Sequence, residues 1–456
     1  SPHCHLPSTA PHFGMTSKPK SDQQDERRLE SAIAADLKLP YKNNASLVAP
    51  AHIDVNTSRI KIDEQISEAV RLVRPDLDTR CLTTSKLAGG LSNHLYIAQF
   101  DGSEEKVLVR IHIEEEGDSS SNSSAESFVD REAENRVLAW LSSCGLAPAF
   151  HGRFLNGRVE QFYDGHRPLS WDEMALSRYA VPMARALAGL HRAEVPPGTL
   201  VLSDEVRRTG EIWSRVKKWF GMARCANKTI EGIDLEGEMA KEWEWLKCEL
   251  QSSDLDNDYA ASRSTPLHSL SLEKTRKLAM AFFRQIIFTH MDYQSLNILI
   301  PSDHRSPNGD SEALQDPHHK SGEEAAIRII DFEYAGLNPR AADIANTFNE
   351  HCNMNNLSPD YANQYPTASQ QDVFLRAYIS VADPDLFDDL NGVHGAWDIF
   401  LSVGRDEIGK HTLLSHIGWS VWSVAQAGLS TIEFDYITYA KLRMEGYYFF
   451  KERHWQ

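Results

Sequence analysis

The sequence predicts an α+β chain of two lobes, a small strand-rich front part and a larger, mainly helical back part. Three observations carry this expectation. Short runs rich in β-branched residues, Leu95 to Phe100 and Lys106 to His112, sit on either side of an Asp101-Gly102 turn and read as an antiparallel hairpin. From Met174 onward apolar residues recur at helical spacing. Between the helical stretches, two apolar runs, Ile298 to Ile300 and Ile327 to Ile330, are short enough for buried strands and lie beside polar, chemistry-bearing residues. Residues 46–163 are therefore read as the front lobe and 164–456 as the helical lobe.

In chain order, residues 1–45 mix Pro, Ser, His, Lys and Gln with few clustered apolar residues and read as a mobile polar tail. After the first hairpin, a polar insert is expected at 114–126, with the serine-rich run Ser119 to Ser124. Glu132 to Ser142 has helical period and should end at Cys144-Gly145 before Pro148. Phe150 to Phe154 and Arg158 to Tyr163 predict a second hairpin across Asn156-Gly157. Helices are expected over Ala180 to His191, Glu211 to Phe220, Gly237 to Leu250, Leu272 to Arg284 and Thr412 to Ala427. A second polar insert is expected at 302–324, where His318-His319 reads as a solvated pair and not a metal site.

Composition narrows the function. The 456 residues carry 47 Lys and Arg against 65 Asp and Glu, a net charge of −18. Such a balance excludes broad binding to a nucleic-acid backbone or an anionic membrane, which need a cationic face. No run approaches the ~20 apolar residues that span a bilayer, so membrane insertion is not expected. Six cysteines are scattered without a CxxC pair, which predicts free thiols and a reducing, cytoplasmic location.

The strongest chemical signal is the stretch His290-Met291-Asp292-Tyr293-Gln294-Ser295-Leu296-Asn297, which leads into the strand at Ile298. Ile330-Asp331-Phe332-Glu333 follows downstream. Phosphoryl transfer from a nucleotide requires a carboxylate to accept the acceptor's hydroxyl proton, and an amide with a second carboxylate to hold magnesium on the phosphates. Asp292 fits the first role, and Asn297 and Asp331 the second. Asp and Asn also favour strand ends for turn-forming reasons alone, so the motif gains its force from its companions. Upstream, Gly89-Gly90-Leu91-Ser92-Asn93 can bring backbone N–H groups close to phosphate oxygens. Arg110 lies on the strand that follows, a suitable cation for nucleotide phosphates, and Glu134 on the next helix is the candidate carboxylate behind it.

These stretches resemble the choline/ethanolamine kinase family, within the larger group that shares the protein-kinase-like fold with aminoglycoside phosphotransferases. The resemblance runs from about Lys86 to Tyr448 and includes Val107 to Arg110, Ile330 to Pro339 with its continuation Asp343 to Glu350, Ser415 to Trp422, and Ser430 to Ala440. It implies ATP and Mg²⁺ as cofactors, an amino alcohol (choline or ethanolamine) as the acceptor, and a homodimer as the candidate assembly. It also implies Asp292 as base, with Gln294, Asn297, Asp331 and Glu333 around the metal and phosphates. Gln161 and Tyr163 fall in the segment implied to meet the adenine, and Glu350, Trp419, Trp422 and Tyr439 at the amine pocket. The aromatic part has a physical reason: a trimethylammonium group has no N–H to donate and is best met by aromatic faces. Trp419 and Trp422, three apart on a helix, share one face.

One departure stands out. After Glu350 the chain reads His351-Cys352-Asn353-Met354-Asn355, where choline kinases often carry further aromatic residues. The expectation is phosphorylation of choline, with ethanolamine accepted more weakly, as the first step of phospholipid synthesis through CDP-choline. The alternatives are ethanolamine as the main substrate, another small-molecule phosphotransferase, or a non-catalytic binding module. Intact Asp292, Asn297, Asp331 and Arg110 argue against the last.

Overall fold

The computed structural model describes residues 47–78, 82–87, 93–101, 104–112, 128–225, 232–251, 259–263, 272–302, 326–430 and 432–454. The tail at 1–45, the insert at 114–126, the insert at 302–324 beyond Ser302, and Gly89, Gly90, Leu91 and Ser92 lie outside the described residues.

The front lobe is built on β1 (Val48–Ala49), α1 (Arg59–Val73), β2 (Leu82–Leu87), β3 (Asn93–Phe100), β4 (Lys106–His112), α2 (Arg131–Ser143), β5 (Phe150–Phe154) and β6 (Gly157–Gln161). Its six strands are ordered β1-β5-β6-β4-β3-β2. All neighbours are antiparallel except the two-residue β1, which joins β5 in parallel. Strand alternation sorts the residues of β4 by face. Val107, Val109 and Ile111 are buried with Ile62, Ile66, Ala69 and Val70 of α1 in the lobe's own core. Arg110 is turned the other way, toward α2, and sits opposite Arg158 of β6 in the ladder. The same alternation that builds the core thus delivers two buried arginines to the cleft side.

The back lobe contains β7 (His166–Pro168), α3 (Ser177–His191), α4 (Asp204–Thr209), α5 (Ile212–Cys225), α6 (Ala240–Gln251), α7 (Tyr259–Arg263) and α8 (Leu272–Arg284). It continues with β8 (Ile286–Thr289), β9 (Ile298–Pro301), β10 (Arg328–Ile329), β11 (Gly336–Pro339), α9 (Arg340–Glu350), α10 (Ala368–Ala382), α11 (Pro384–Gly392), α12 (Ala396–Leu429) and α13 (Tyr436–His454). Two small antiparallel sheets, β10-β9-β7 and β11-β8, frame the polar loop between β8 and β9. Among the described residues no helix is long and apolar enough to cross a membrane.

The two expected hairpins and all six expected helices are present, with shifts at the ends. The helix expected over Thr412 to Ala427 is only the second half of α12, which runs for 34 residues. The charged residues that masked its first half are satisfied inside the fold. Glu407 takes Arg284 Nε at 2.6 Å, and His411 Nδ1 lies 2.8 Å from the Glu407 carbonyl. α12 is buried on most sides, as a helix with little amphipathic contrast must be. Close approach is secured by glycine at two crossings. A β-carbon on Gly404 would lie 2.5 Å from the Phe283 ring of α8, and one on Gly446 of α13 would lie 2.5 Å from the His416 ring.

Candidate active site

The loop from His290 to Asn297 leaves β8 and enters β9, and a buried carboxylate fixes its start. Asp343, on α9 and fully buried, accepts the His290 amide on Oδ2 at 2.6 Å and the Met291 amide on Oδ1 at 2.8 Å. Its Oδ2 also lies 2.9 Å from His191 Nε2, and His191 Nδ1 lies 2.5 Å from the Tyr378 hydroxyl. Burial works against the charged form, yet the His191 bond and the loop amides together hold the Asp343 carboxyl below its usual range. Met291 has φ 64°, a left-handed conformation that an unbranched side chain adopts only when its surroundings enforce it. The two amide bonds supply that enforcement directly before Asp292.

Asp292 is partly exposed. Asn297 Nδ2 donates to its Oδ2 at 2.8 Å and to its carbonyl at 2.9 Å, which leaves the Asn297 amide oxygen available as a ligand. Removal from bulk water, with the charges of Glu350, Asp331 and Glu333 adding to it, pushes the Asp292 carboxyl well above the ordinary range, while a hydrogen bond from Gln294 works the other way. A carboxylate raised in this way is suited to take a proton.

Across the cleft stands a network of three arginines and four carboxylates. Arg110 donates from Nε to Glu160 at 3.2 Å and from Nη1 to Asp331 at 3.3 Å. Arg158 bridges Glu134 at 2.7 Å and Glu160 at 3.1 Å. Arg131 bridges Glu134 at 2.9 Å and Glu333 at 3.3 Å. The sequence places Glu134 behind Arg110; in the structure Glu160 and Asp331 bond that guanidinium, and Glu134 bonds Arg158 and Arg131. The network keeps one more negative than positive charge, and this surplus appears at Glu333. Burial first, then Asp331, raises its carboxyl to about 7. Asp331 itself has φ 66°, a second left-handed non-glycine position, and carboxylate oxygens of Glu134, Asp331 and Glu333 lie within 4.8 Å of one another. With the Asn297 amide, the available donors are all oxygen, the set that suits a hard divalent cation such as Mg²⁺.

On the other side of Asp292, aromatic rings form a wall. Trp419 and Trp422 of α12 stand edge to face with ring centres 5.4 Å apart, and Tyr334 meets Trp419 at 5.0 Å. Tyr436 lies 5.8 Å from Trp422, and Phe434 lies 5.7 Å from Tyr439. Trp419 is oriented by its Nε1, which donates to Asn346 Oδ1 at 2.8 Å. Asp292 lies near enough for its charge to add to the effect of burial in raising both the Tyr334 and Tyr439 hydroxyls. Glu350 is already engaged. Arg443 Nη2 donates to it at 2.5 Å and to the Tyr439 hydroxyl at 2.6 Å.

The structure thus brings Asp292, Gln294, Asn297, Asp331, Glu333, Arg110 and Glu134 around one cleft, with Glu350, Trp419, Trp422 and Tyr439 beside Asp292. Asn93 is buried on β3, and its Oδ1 lies 2.9 Å from His112 Nδ1. Gln161 bonds back to Ala149, through its amide N at 2.8 Å and its side-chain oxygen at 3.1 Å, and Tyr163 packs its half-buried ring near Arg328. Sequence reasoning missed Arg131, Arg158 and Arg443 altogether. A signal existed for two of them: Arg158 and Glu160 alternate onto one strand face, and Arg443 falls one helical turn after Tyr439.

The sequence description of the choline/ethanolamine kinase family matches residues 84–448. A probable choline kinase 2 of Arabidopsis thaliana is 25% identical over 420 residues, covering 88% of this chain and 95% of the relative. A probable ethanolamine kinase A of Dictyostelium discoideum is 26% identical over 381 residues, covering 80% of this chain and 85% of the relative. Among solved structures, an ethanolamine kinase of Plasmodium vivax superposes with a TM-score of 0.58 at 20% identity, over 88% of this chain and 93% of the other, which shows a shared fold.

Proposed function

This chain belongs to the choline/ethanolamine kinase family, and from that membership we propose that it transfers the terminal phosphoryl group of ATP to the hydroxyl of choline, with ethanolamine accepted more weakly. The observation that carries the preference is the pairing of Glu350 with Arg443 beside an aromatic wall. A primary ammonium needs acceptors for three N–H groups, and the carboxylate best placed to serve already accepts from Arg443, which offsets its charge. A trimethylammonium group needs none and gains from the faces of Trp419, Trp422, Tyr334 and Tyr439.

In this reading Asp292 takes the hydroxyl proton as the substrate oxygen forms its bond to the γ-phosphorus and the bond to the β-phosphate oxygen breaks. Gln294 and Asn297 hold the Asp292 carboxylate. Asn297 and Asp331, with Glu333 nearby, are the residues that hold Mg²⁺, which when bound neutralises charge on the phosphates. Arg110 serves the nucleotide phosphates from β4, with Glu160 and Glu134 holding the arginine network behind it. Gly89, Gly90, Leu91, Ser92 and Asn93 are assigned to the phosphates, and Gln161 and Tyr163 to the adenine. The same reading includes a cytoplasmic enzyme, supported by described cysteines that are free, and a homodimer as the candidate assembly. It also includes the place of the reaction, supplying phosphocholine for phospholipid synthesis.

The test is an ADP-release screen across choline, its less methylated relatives, ethanolamine and aminoglycosides. Choline should give the highest kcat/KM. A higher value for ethanolamine would reverse the preference and leave the kinase assignment in place. Release with an aminoglycoside alone would overturn the acceptor class.

A further inference from the structure

Asn355 lies in the short segment that leaves α9 and passes over the loop carrying Asp292. Its Nδ2 donates to Gln294 Oε1 at 2.5 Å. The other end of that same amide, Gln294 Nε2, faces Asp292 Oδ2 at 3.5 Å. We propose that Asn355 is a positioning residue: it fixes which way the Gln294 amide faces, so that the NH₂ group and not the carbonyl looks onto the proton-accepting carboxylate. The proposal rests on the reading of Asp292 as the base.

The physical issue is the near symmetry of a carboxamide. Gln294 occupies the same volume in either orientation, and only hydrogen-bond partners select one. With its carbonyl turned toward Asp292, two oxygens would confront each other in a cleft already rich in negative charge. Asn355, whose Nδ2 donates to Oε1, favours the orientation that turns the NH₂ group toward Asp292. A donor is needed there, and an amide supplies one without adding charge.

The backbone around Asn355 is built to present it. Asn353 and Leu357 are both left-handed, at φ 54° and φ 52°. Asparagine accepts that conformation readily, whereas leucine does so only under constraint. Between them Met354 is fully buried and meets the Tyr361 hydroxyl at 3.8 Å, and Asn353 Nδ2 donates to Ser358 Oγ at 3.3 Å. Anchoring Met354 inward leaves Asn355 on the outer side, over Gln294. Backbone strain retained next to a reacting group is a recurrent feature of sites in which geometry matters more than local stability. A plain turn-stabilising role for the same bond would leave turnover untouched.

Three variants decide between the two roles. Asn355→Ala should lower kcat with the preferred amino alcohol by about 3- to 10-fold, the effect of one lost neutral hydrogen bond, with the ATP KM unchanged. Asn355→Asp should lower it further, because a carboxylate can only accept and would draw the Gln294 NH₂ away from Asp292. In a Gln294→Ala background, Asn355→Ala should have no additional effect on kcat. Unchanged kcat in Asn355→Ala, an Asn355→Asp enzyme as active as Asn355→Ala, or additive losses in the double variant would each overturn the positioning role while the kinase reading stands. A wild-type protein that releases no ADP with any amino alcohol would overturn the functional reading and the positioning role together.

Discussion

Arg443 and Glu350 form a buried ion pair, 2.5 Å from Nη2 to Oε1, at the edge of a pocket whose proposed ligand is itself a cation. A fixed guanidinium alone beside an ammonium site would repel the ligand, but it stands among several carboxylates. Asp292, Asp331 and Glu333 already face this region, and an unpaired Glu350 would raise the Asp292 carboxyl further. Arg443 offsets that charge and at the same time covers the Tyr439 ring, with its guanidinium carbon 5.0 Å from the ring centre. The pair thus adds no net charge beside the aromatic wall.

Removing that arginine should therefore cost stability before it costs chemistry. Arg443→Met leaves a carboxylate buried without its partner, a change that typically destabilises by about 3–5 kcal/mol. The melting temperature of Arg443→Met should fall clearly below that of the wild type. Adding Glu350→Gln should restore part of the loss, because the stranded charge is gone. Equal melting temperatures for the single and double variants would show that the loss comes from packing and not from the charge.

Asp292 should show the opposite balance. Its carboxyl is raised well above the ordinary value, near 3.9 for a free aspartate. Between those two values the unfolded chain has released the proton and the native chain has not, so native stability falls as pH rises through that window. Asp292→Asn removes this loss and should melt at a higher temperature than the wild type at pH 8, with a smaller gain at pH 5. Turnover should meanwhile drop by roughly 10²–10⁴-fold, the usual share of a general base. In the wild type, turnover should rise with pH as the raised carboxyl gives up its proton. An Asp292→Asn enzyme of wild-type activity would remove this residue from the mechanism.

Much of this site was legible because its residues sit at strand ends in a fixed spacing. Asp292 and Asn297 bracket the loop between two apolar strands, and Asp331 follows a third, so the pattern shows without coordinates. The arginine network was not legible in the same way. Arg110 was found because it interrupts an apolar strand, but its partners are chosen by register: β4 against β6 sets Arg110 opposite Arg158, and the Asp130-capped start of α2 sets where Arg131 and Glu134 fall. Arg443 was missed because its helix, α13, carries apolar and polar residues on all sides and offers no clear stripe. The first half of α12 was missed because Glu407 and His411 read as surface residues in the sequence, whereas in the fold Arg284 of another helix pairs with Glu407 and His411 turns to the Glu407 carbonyl.

Magnesium dependence should separate Asp331 from Asp292. An amide is a poorer ligand for a hard cation than a carboxylate, so Asp331→Asn should need more magnesium to reach half-maximal rate, and raising the metal should recover part of the turnover. The same addition should do nothing for Asp292→Ala, which lacks the proton acceptor. Asp331 also holds Arg110, so Asp331→Asn should raise the ATP KM as well. Identical magnesium titrations for wild type and Asp331→Asn would count against this assignment.

The aromatic wall gives the sharpest test of substrate choice. Trp422 is nearly buried, edge to face with Trp419, and backed by Tyr436 and by Phe128 with ring centres 6.5 Å apart. A desolvated cation–π contact is worth about 2 kcal/mol, which corresponds to roughly 30-fold in binding. Trp422→Ala should therefore raise the choline KM by about that factor, raise the ethanolamine KM much less, and leave the ATP KM nearly unchanged. Because truncating a buried tryptophan also opens a cavity that destabilises by about 3–5 kcal/mol, the assay is best run well below the melting temperature of the variant. Trp422→Phe keeps an aromatic face with a smaller loss of packing, and should retain most of the discrimination. If Trp422→Ala weakens both amines equally, the ring acts as a packing element and the preference for choline must come from another part of the pocket.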